Sequence, residues 1–274
     1  MGLCDGPKVL YEALTRVPPR ARERSAMPRK MLPMLAVAAT VSTALLAAPE
    51  APPPGFTAIF NGKDLAGWRV PAGDNGHWRV VDGVIDYDAE SEAAGEKHLW
   101  TEKEYGDFTL RVDWRIKETP YTNPNVHIVK PDGLSKLDAT GKPVLMAVPD
   151  SDSGIYLRGL DKAQVNIWCW PVGSGEVYGY RTDDKMPAAV RAGVTPKKLA
   201  DRNIGEWNTF EITVKGSRLT VVLNGERVLD EAELPGLPAR GRIALQHHGS
   251  KKDGKWNAPP ALVQFRNIWI RAEQ

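Results

Sequence analysis

The 274-residue chain has only two cysteines, Cys4 and Cys169, which excludes a disulfide framework. With Cys4 in a segment read below as removed, Cys169 stands alone and stability must come from a buried core. About 225 residues are enough to build one. Recognised motifs are missing as well. No E-x-D-x-x-E stretch offers the paired carboxylates of a retaining jelly-roll glycosidase. No H-E-x-x-H, Walker loop or strand-to-helix G-x-G-x-x-G occurs, which argues against a zinc protease, a nucleotide hydrolase or a dinucleotide enzyme. Long helical periodicity is absent after residue 55. A dominant charge sign is also missing. The formal net charge is +2, but setting aside the seven Lys/Arg and three Asp/Glu of residues 1–48 leaves 29 basic and 31 acidic residues. The body of the chain therefore has no electrostatic match to nucleic acid or to an anionic membrane.

One apolar run is present. Residues 27–48 read as a secretory signal, with Arg29 and Lys30 ahead of an Ala- and Leu-rich stretch that ends in Ala47 and Ala48. The expectation is cleavage and a periplasmic or extracellular location. Uncleaved, the run would act as a membrane anchor. No Cys stands directly after it, so no lipid attachment is expected. Residues 1–26 read as an upstream extension or a start-site artefact, 49–55 as a Pro-rich linker, and 56–272 as one domain.

Within that domain the apolar period is two. Phe108, Leu110, Val112, Trp114 and Ile116 alternate with polar residues, as do Phe210, Ile212 and Val214, and Leu219, Val221 and Leu223. Asn224-Gly225 and Asp82-Gly83 mark tight hairpins. The phase slips at Arg266-Asn267, which predicts a bulge. Short helices are expected at Ala188–Ala192 and Pro196–Ala200. Glu118–Asp152, with five prolines, and Thr182–Gly205 read as long loops. The pattern predicts an all-β antiparallel sandwich or barrel.

Ten blocks in order, from FNGKDLAGW (Phe60–Trp68) through DSGIYLRG, AQVNIW, GEVYGY and GRIALQHHG to VQFRNIWIR (Val263–Arg271), resemble the 3-keto-disaccharide hydrolases. The resemblance implies a concanavalin A-like jelly roll of two antiparallel sheets, and action on glycosides already oxidised at sugar carbon 3. A ketone there acidifies the proton on carbon 2, whose loss lets the aglycone leave carbon 1. Such chemistry needs a base near carbon 2, donors for the enolate oxygen and an acid for the leaving group. The chain departs from the family's E-x-Q-I-x-D-like stretch at Gln164-Val165-Asn166-Ile167-Trp168-Cys169, where Glu becomes Gln and Asp becomes Cys. Either Glu176 supplies the missing carboxylate, or the protein binds sugar without turnover, as a carbohydrate-binding module. A structural surface domain is a third reading.

The candidate catalytic residues are Glu176, His247 and His248. Adjacent histidines on a strand point to opposite faces, so one of them can reach a groove. Period 2 aligns Asp152, Tyr156 and Arg158 on one face, Gln164, Asn166 and Trp168 on another strip, and Gln246 with His248. Together with Tyr178 these are the expected substrate-binding residues. Trp170 and Trp256 are further stacking candidates, and Trp114, Trp207 and Trp269 read as packing. His127 is a lesser candidate base, and Cys169 reads as an inert thiol. The sequence requires no cofactor. A divalent metal is compatible with the converging His and Glu that the resemblance implies, though no metal-motif spacing is present. The expected partner is a small glycoside or glycan.

Overall fold

A computed structural model describes residues 50–273; the signal-peptide segment and the upstream extension lie outside the described residues. In chain order the strands are β1 (Thr57–Ala58), β2 (Trp68–Arg69), β3 (Trp78–Val81), β4 (Val84–Tyr87), β5 (Leu99–Thr101), β6 (Phe108–Ile116), β7 (Tyr121–His127), β8 (Leu145–Asp150), β9 (Ser153–Leu157) and β10 (Leu160–Ile167). Two short helices follow, α1 (Tyr178–Arg181) and α2 (Ala188–Gly193). The chain then forms β11 (Asn208–Lys215), β12 (Arg218–Leu223), β13 (Glu226–Glu233), β14 (Ala244–Leu245), β15 (Lys251–Lys252), β16 (Lys255–Trp256) and β17 (Val263–Ala272).

The larger sheet runs β13-β12-β11-β6-β17-β4-β3, with β1 pairing β17, and the smaller runs β10-β9-β14-β5-β2; every described pairing is antiparallel. The all-β sandwich expected from the alternation is the fold observed. One side of each strand fills the core. Phe108, Leu110, Val112 and Trp114 of β6 and Phe210, Ile212 and Val214 of β11 are buried with Leu99, Ile155, Val165 and Leu245 of the smaller sheet. Each such side chain contributes about 1.5–3 kcal/mol by leaving water.

Local chemistry sets the register. Asn224 (φ 54°) and Gly225 (φ 86°) are both left-handed, as a two-residue turn of the right twist requires, and Asp82 (φ 51°) and Gly83 (φ 78°) repeat the device. The Asn224 side chain accepts from Thr209 N (2.9 Å) and donates to Ala200 O (2.8 Å). In β17 the pairing with β6 shifts between Arg266 and Trp269, around Asn267 at φ 51°.

Several local expectations are corrected. Glu118–Asp152 is not a loop: it folds as the β7–β8 hairpin, and Pro124 sits where the ladder is interrupted between Asn123 and Val126, so its missing N–H costs no pairing. Pro196–Ala200 is not a helix, because Lys197 N donates instead to Val228 O (3.0 Å), tying the segment to β13. Tyr178 opens α1 instead of alternating on a strand.

Arg158 is the largest correction. Period 2 puts it on the face of Tyr156, but β9 ends at Leu157, and Arg158 turns left-handed (φ 51°) ahead of Gly159 (φ 70°). Its guanidinium is fully buried and donates to Gly106 O (2.9 Å), Gly216 O (2.8 Å), Pro238 O (3.0 Å) and Asp107 Oδ1 (2.6 Å). Asp107 Oδ1 also accepts from Gly216 N (2.9 Å), so one cation joins three connections between strands. Gly241 lies against this turn so closely that a Cβ would stand 2.1 Å from Arg158 O. Arg158→Met is expected to lower the unfolding free energy by about 3 kcal/mol, since three carbonyls lose their donor. Urea denaturation would measure it, and an unchanged midpoint would refute the clamp.

Candidate functional site

The smaller sheet has a second, polar face, and its register dictates what stands there. Gln164, Tyr156, Ala244, Trp100 and Arg69 are opposed across all five strands. One step along, Asn166 is opposed to Gly154, and Gln246 N donates to Gly154 O (2.9 Å). Two residues before Trp100, His98 joins the same side. The intervening residues Val165, Ile155, Leu245 and Leu99 point into the core.

This face is covered and yet incompletely bonded. Tyr156, Gln164, Asn166 and Gln246 are buried, yet Gln164 Nε2, Asn166 Nδ2 and Gln246 Oε1 have no partner among the described residues. Leaving a buried polar group unpaired costs about 1–3 kcal/mol, so a face with several such groups suits a polar ligand. Gly154 makes room for this arrangement. A Cβ there would meet Gln164 Nε2 at 2.4 Å, so only glycine lets that amide lie across the strand. Gln246 Nε2 donates to the Tyr156 hydroxyl (3.2 Å). Burial pushes Tyr156 up to about 12, so its phenol stays protonated and keeps a free O–H.

At the end of the face His248 Nε2 stands 3.9 Å from Asp152 Oδ2. His248 Nδ1 donates to Pro259 O (2.6 Å), which fixes the ring and turns Nε2 toward the carboxyl. Asp152 is only 17% exposed. Burial pushes its carboxyl up to about 7, with the charge of Asp150 adding to the shift and His248 opposing it. Asp150 itself is held by Trp170 Nε1 (2.9 Å), Asn123 Nδ2 (3.0 Å) and Cys169 N (3.4 Å). The result is a carboxyl that takes up its proton near neutrality, with the His248 ring 3.9 Å away and a phenol and two unpaired amide donors on the same face.

Six expected residues therefore come together: Asp152, Tyr156, Gln164, Asn166, Gln246 and His248. The others are placed differently. His247 faces inward, where its Nδ1 accepts from the Tyr87 hydroxyl (2.5 Å), and Tyr87 stacks on Trp78 at 3.6 Å. Burial, then Lys97, His98 and His248, hold His247 down at about 4, so it is neutral. Glu176 adjoins the face, since Asn166 N donates to Glu176 O (2.9 Å). Its buried carboxylate is ion-paired with Arg181, leaving Oε2 without a partner. Trp168 is buried under Trp170 (rings 4.2 Å apart), with Tyr178 edge-on to both. It is thus a wall rather than an open platform. His127 lies away, bonded to Ser135 Oγ (2.8 Å). Burial pushes the Cys169 thiol up to about 12, which keeps it protonated and unreactive.

Two residues escaped sequence reasoning. His98 accepts from His247 N at Nδ1 (3.0 Å) and packs 4.8 Å from the Tyr156 ring, and Trp100 stacks 5.8 Å from the same ring. The alternation His98, Leu99, Trp100 was the available signal, but three residues are too few to declare a strand. Among the described residues no three His, Cys, Asp or Glu side chains converge into a metal-holding set. No described helix is long and apolar enough to cross a membrane.

The sequence profile of the 3-keto-alpha-glucoside-1,2-lyase-like domain, the 3-keto-disaccharide hydrolase family, matches residues 55–271. The chain belongs to this family. Membership makes it a carbohydrate-active protein, in keeping with a polar, aromatic-flanked face. No protein of curated function matches it by sequence. Among solved structures, a candidate glycosyl hydrolase from Parabacteroides distasonis ATCC 8503 is 22% identical over 81% of this chain and 85% of its own, with a TM-score of 0.52, a likeness of fold. A second from the same organism is 20% identical over 80% of this chain and 94% of its own, with a TM-score of 0.49.

Asp152 carries a signature that can be checked without substrate. Its folded-state proton is held up to about pH 7, whereas an unfolded carboxyl loses it near 4. Between those values the folded state binds more protons, so stability falls as pH rises through the window. Asp152→Asn is expected to be more stable than the parent at pH 8 and level with it at pH 4, in paired denaturation curves. The same offset at both pH values would contradict the buried acid.

Proposed function

We propose that this protein is an exported enzyme that cleaves the glycosidic bond of 3-keto-glycosides by proton abstraction and elimination. The carrying observation is the Asp152–His248 pair at 3.9 Å, beside the unpaired Gln164 and Asn166 donors on one covered face. In this reading the pair takes the proton from carbon 2, and the bonding electrons move into an enolate on the carbon 3 oxygen. Gln164 Nε2 and Asn166 Nδ2 hold that oxygen. Collapse of the enolate restores the ketone, forms the carbon 1–carbon 2 double bond and expels the aglycone oxygen. The Tyr156 O–H protonates that oxygen on departure and water then adds across the double bond. Gln246 Oε1 and Glu176 Oε2 accept from sugar hydroxyls. His247 keeps a supporting place, since its backbone N–H holds the His98 ring against Tyr156.

A non-catalytic carbohydrate-binding module is the second reading, favoured by Gln164 where the family's Glu is expected. A chromogenic 3-keto-glucoside separates the two. The enzyme reading expects aglycone release, deuterium uptake at carbon 2 in heavy water, and kcat/KM rising with pH through about 7 as the Asp152 carboxyl loses its proton. His248→Gln is expected to lower kcat by about 100-fold or more. Folded protein that binds glycans with tryptophan quenching, yet releases nothing from several keto-glycosides, would leave only the binding module. Export would show as a mature N-terminus near residue 49; an intact segment 1–48 on secreted protein would argue against it.

A further inference from the structure

The covered face does not stop at Trp100. Beyond it lies a cleft of about 480 Å³ lined by Arg69, Glu96, His98, Trp100, Arg240 and Arg242, among others. Its volume is that of a small-molecule pocket, enough for a monosaccharide-sized group. Its position follows from the strands. His98 stands one step from the His248 row, while Arg242 is six residues before His248. The cleft therefore borders the face at His98 and Trp100 and extends from there toward Arg242, on the far side of β14 from His248. That position suits the group attached to the ring that loses its carbon 2 proton.

The charges in the cleft are unequally satisfied. Glu96 is already engaged, accepting from His98 N (2.8 Å) with His98 Nε2 3.8 Å away. Arg242 Nη2 lies 4.0 Å from Glu104. Arg240 donates only to the backbone of Glu104 (3.0 Å), and among the described residues Arg69 has no hydrogen-bond or carboxylate partner. Two guanidinium groups without a carboxylate partner thus share the cleft with a half-buried indole. Guanidinium forks suit a carboxylate held by two parallel bonds, and an indole face suits a sugar ring.

We propose that this cleft is the leaving-group subsite and that it selects glycosides whose leaving part carries a carboxylate, such as a uronic acid. The proposal rests on the reading of the face as a sugar site and adds the substrate class. Calorimetric titration of the intact protein with methyl β-glucuronide and methyl β-glucoside tests it without turnover. The glucuronide is expected to bind about tenfold tighter, a difference of about 1.4 kcal/mol. The advantage should shrink in about 0.5 M NaCl, as an exposed ion contact must. In the Arg69→Gln/Arg240→Gln double variant it should fall to within about twofold. Both side chains are exposed, so the variant's melting temperature should match the parent's and report its folding. Equal affinities, an advantage that survives the double substitution, or binding of neither glycoside overturns the proposal. A glucuronide preference without turnover of any keto-glycoside sinks only the catalytic reading. Turnover of neutral keto-glycosides with no such preference sinks only this one.

Discussion

The pleat of the five-stranded sheet is the constraint on which the site depends. Leu99, Ile155, Val165 and Leu245 must face the core, because together they close it against β6 and β11. Successive side chains alternate, so Trp100, Tyr156, Gln164 and Gln246 have no choice but the opposite face. A one-residue slip in any strand would bury an amide in the core and expose an aliphatic chain. The energy that fixes the register is therefore hydrophobic, although what it positions is polar.

Holding that register requires stops as well as strands. β9 must end before it carries a cation onto the polar face, and the left-handed turn at Arg158 and Gly159 ends it. The guanidinium then turns to a use inside the molecule, drawing together the chain around Gly106, Gly216 and Pro238. Buried polar groups thus divide into two kinds here. Arg158 and Asp150 are fully bonded and hold structure. The amides of Gln164, Asn166 and Gln246 are partly bonded, at a cost in stability that a bound sugar would offset.

The same division explains which candidate residues were legible. Alternation in DSGIYLRG and QVNIW is enough to put Tyr156, Gln164 and Asn166 on one face, and the same alternation carried past β14, which ends at Leu245, points His247 and His248 to different sides. It could not show that Arg158 leaves the strand, since a left-handed residue before glycine looks like one more step of the period. Nor could it reveal that Glu176 meets Arg181, five residues on, because that pairing depends on α1. His98 and Trp100 were hidden for another reason. β5 has only three residues, and it becomes part of the site through neighbours about 56 and 145 residues away in sequence.

The sequence by itself determined the sandwich, its two-residue turns, the bulge near Asn267 and membership in a carbohydrate-active family. Each of these is encoded within a short window, by period, by turn residues or by ordered blocks. The tertiary structure alone decided that Asp152 and His248 form a pair, that His247 is committed to Tyr87, and that Arg69, Arg240 and Arg242 converge on one cleft. Those contacts join segments far apart in the chain, and burial, which turns an ordinary Asp152 into an acid near neutrality, exists only after the sheets have closed.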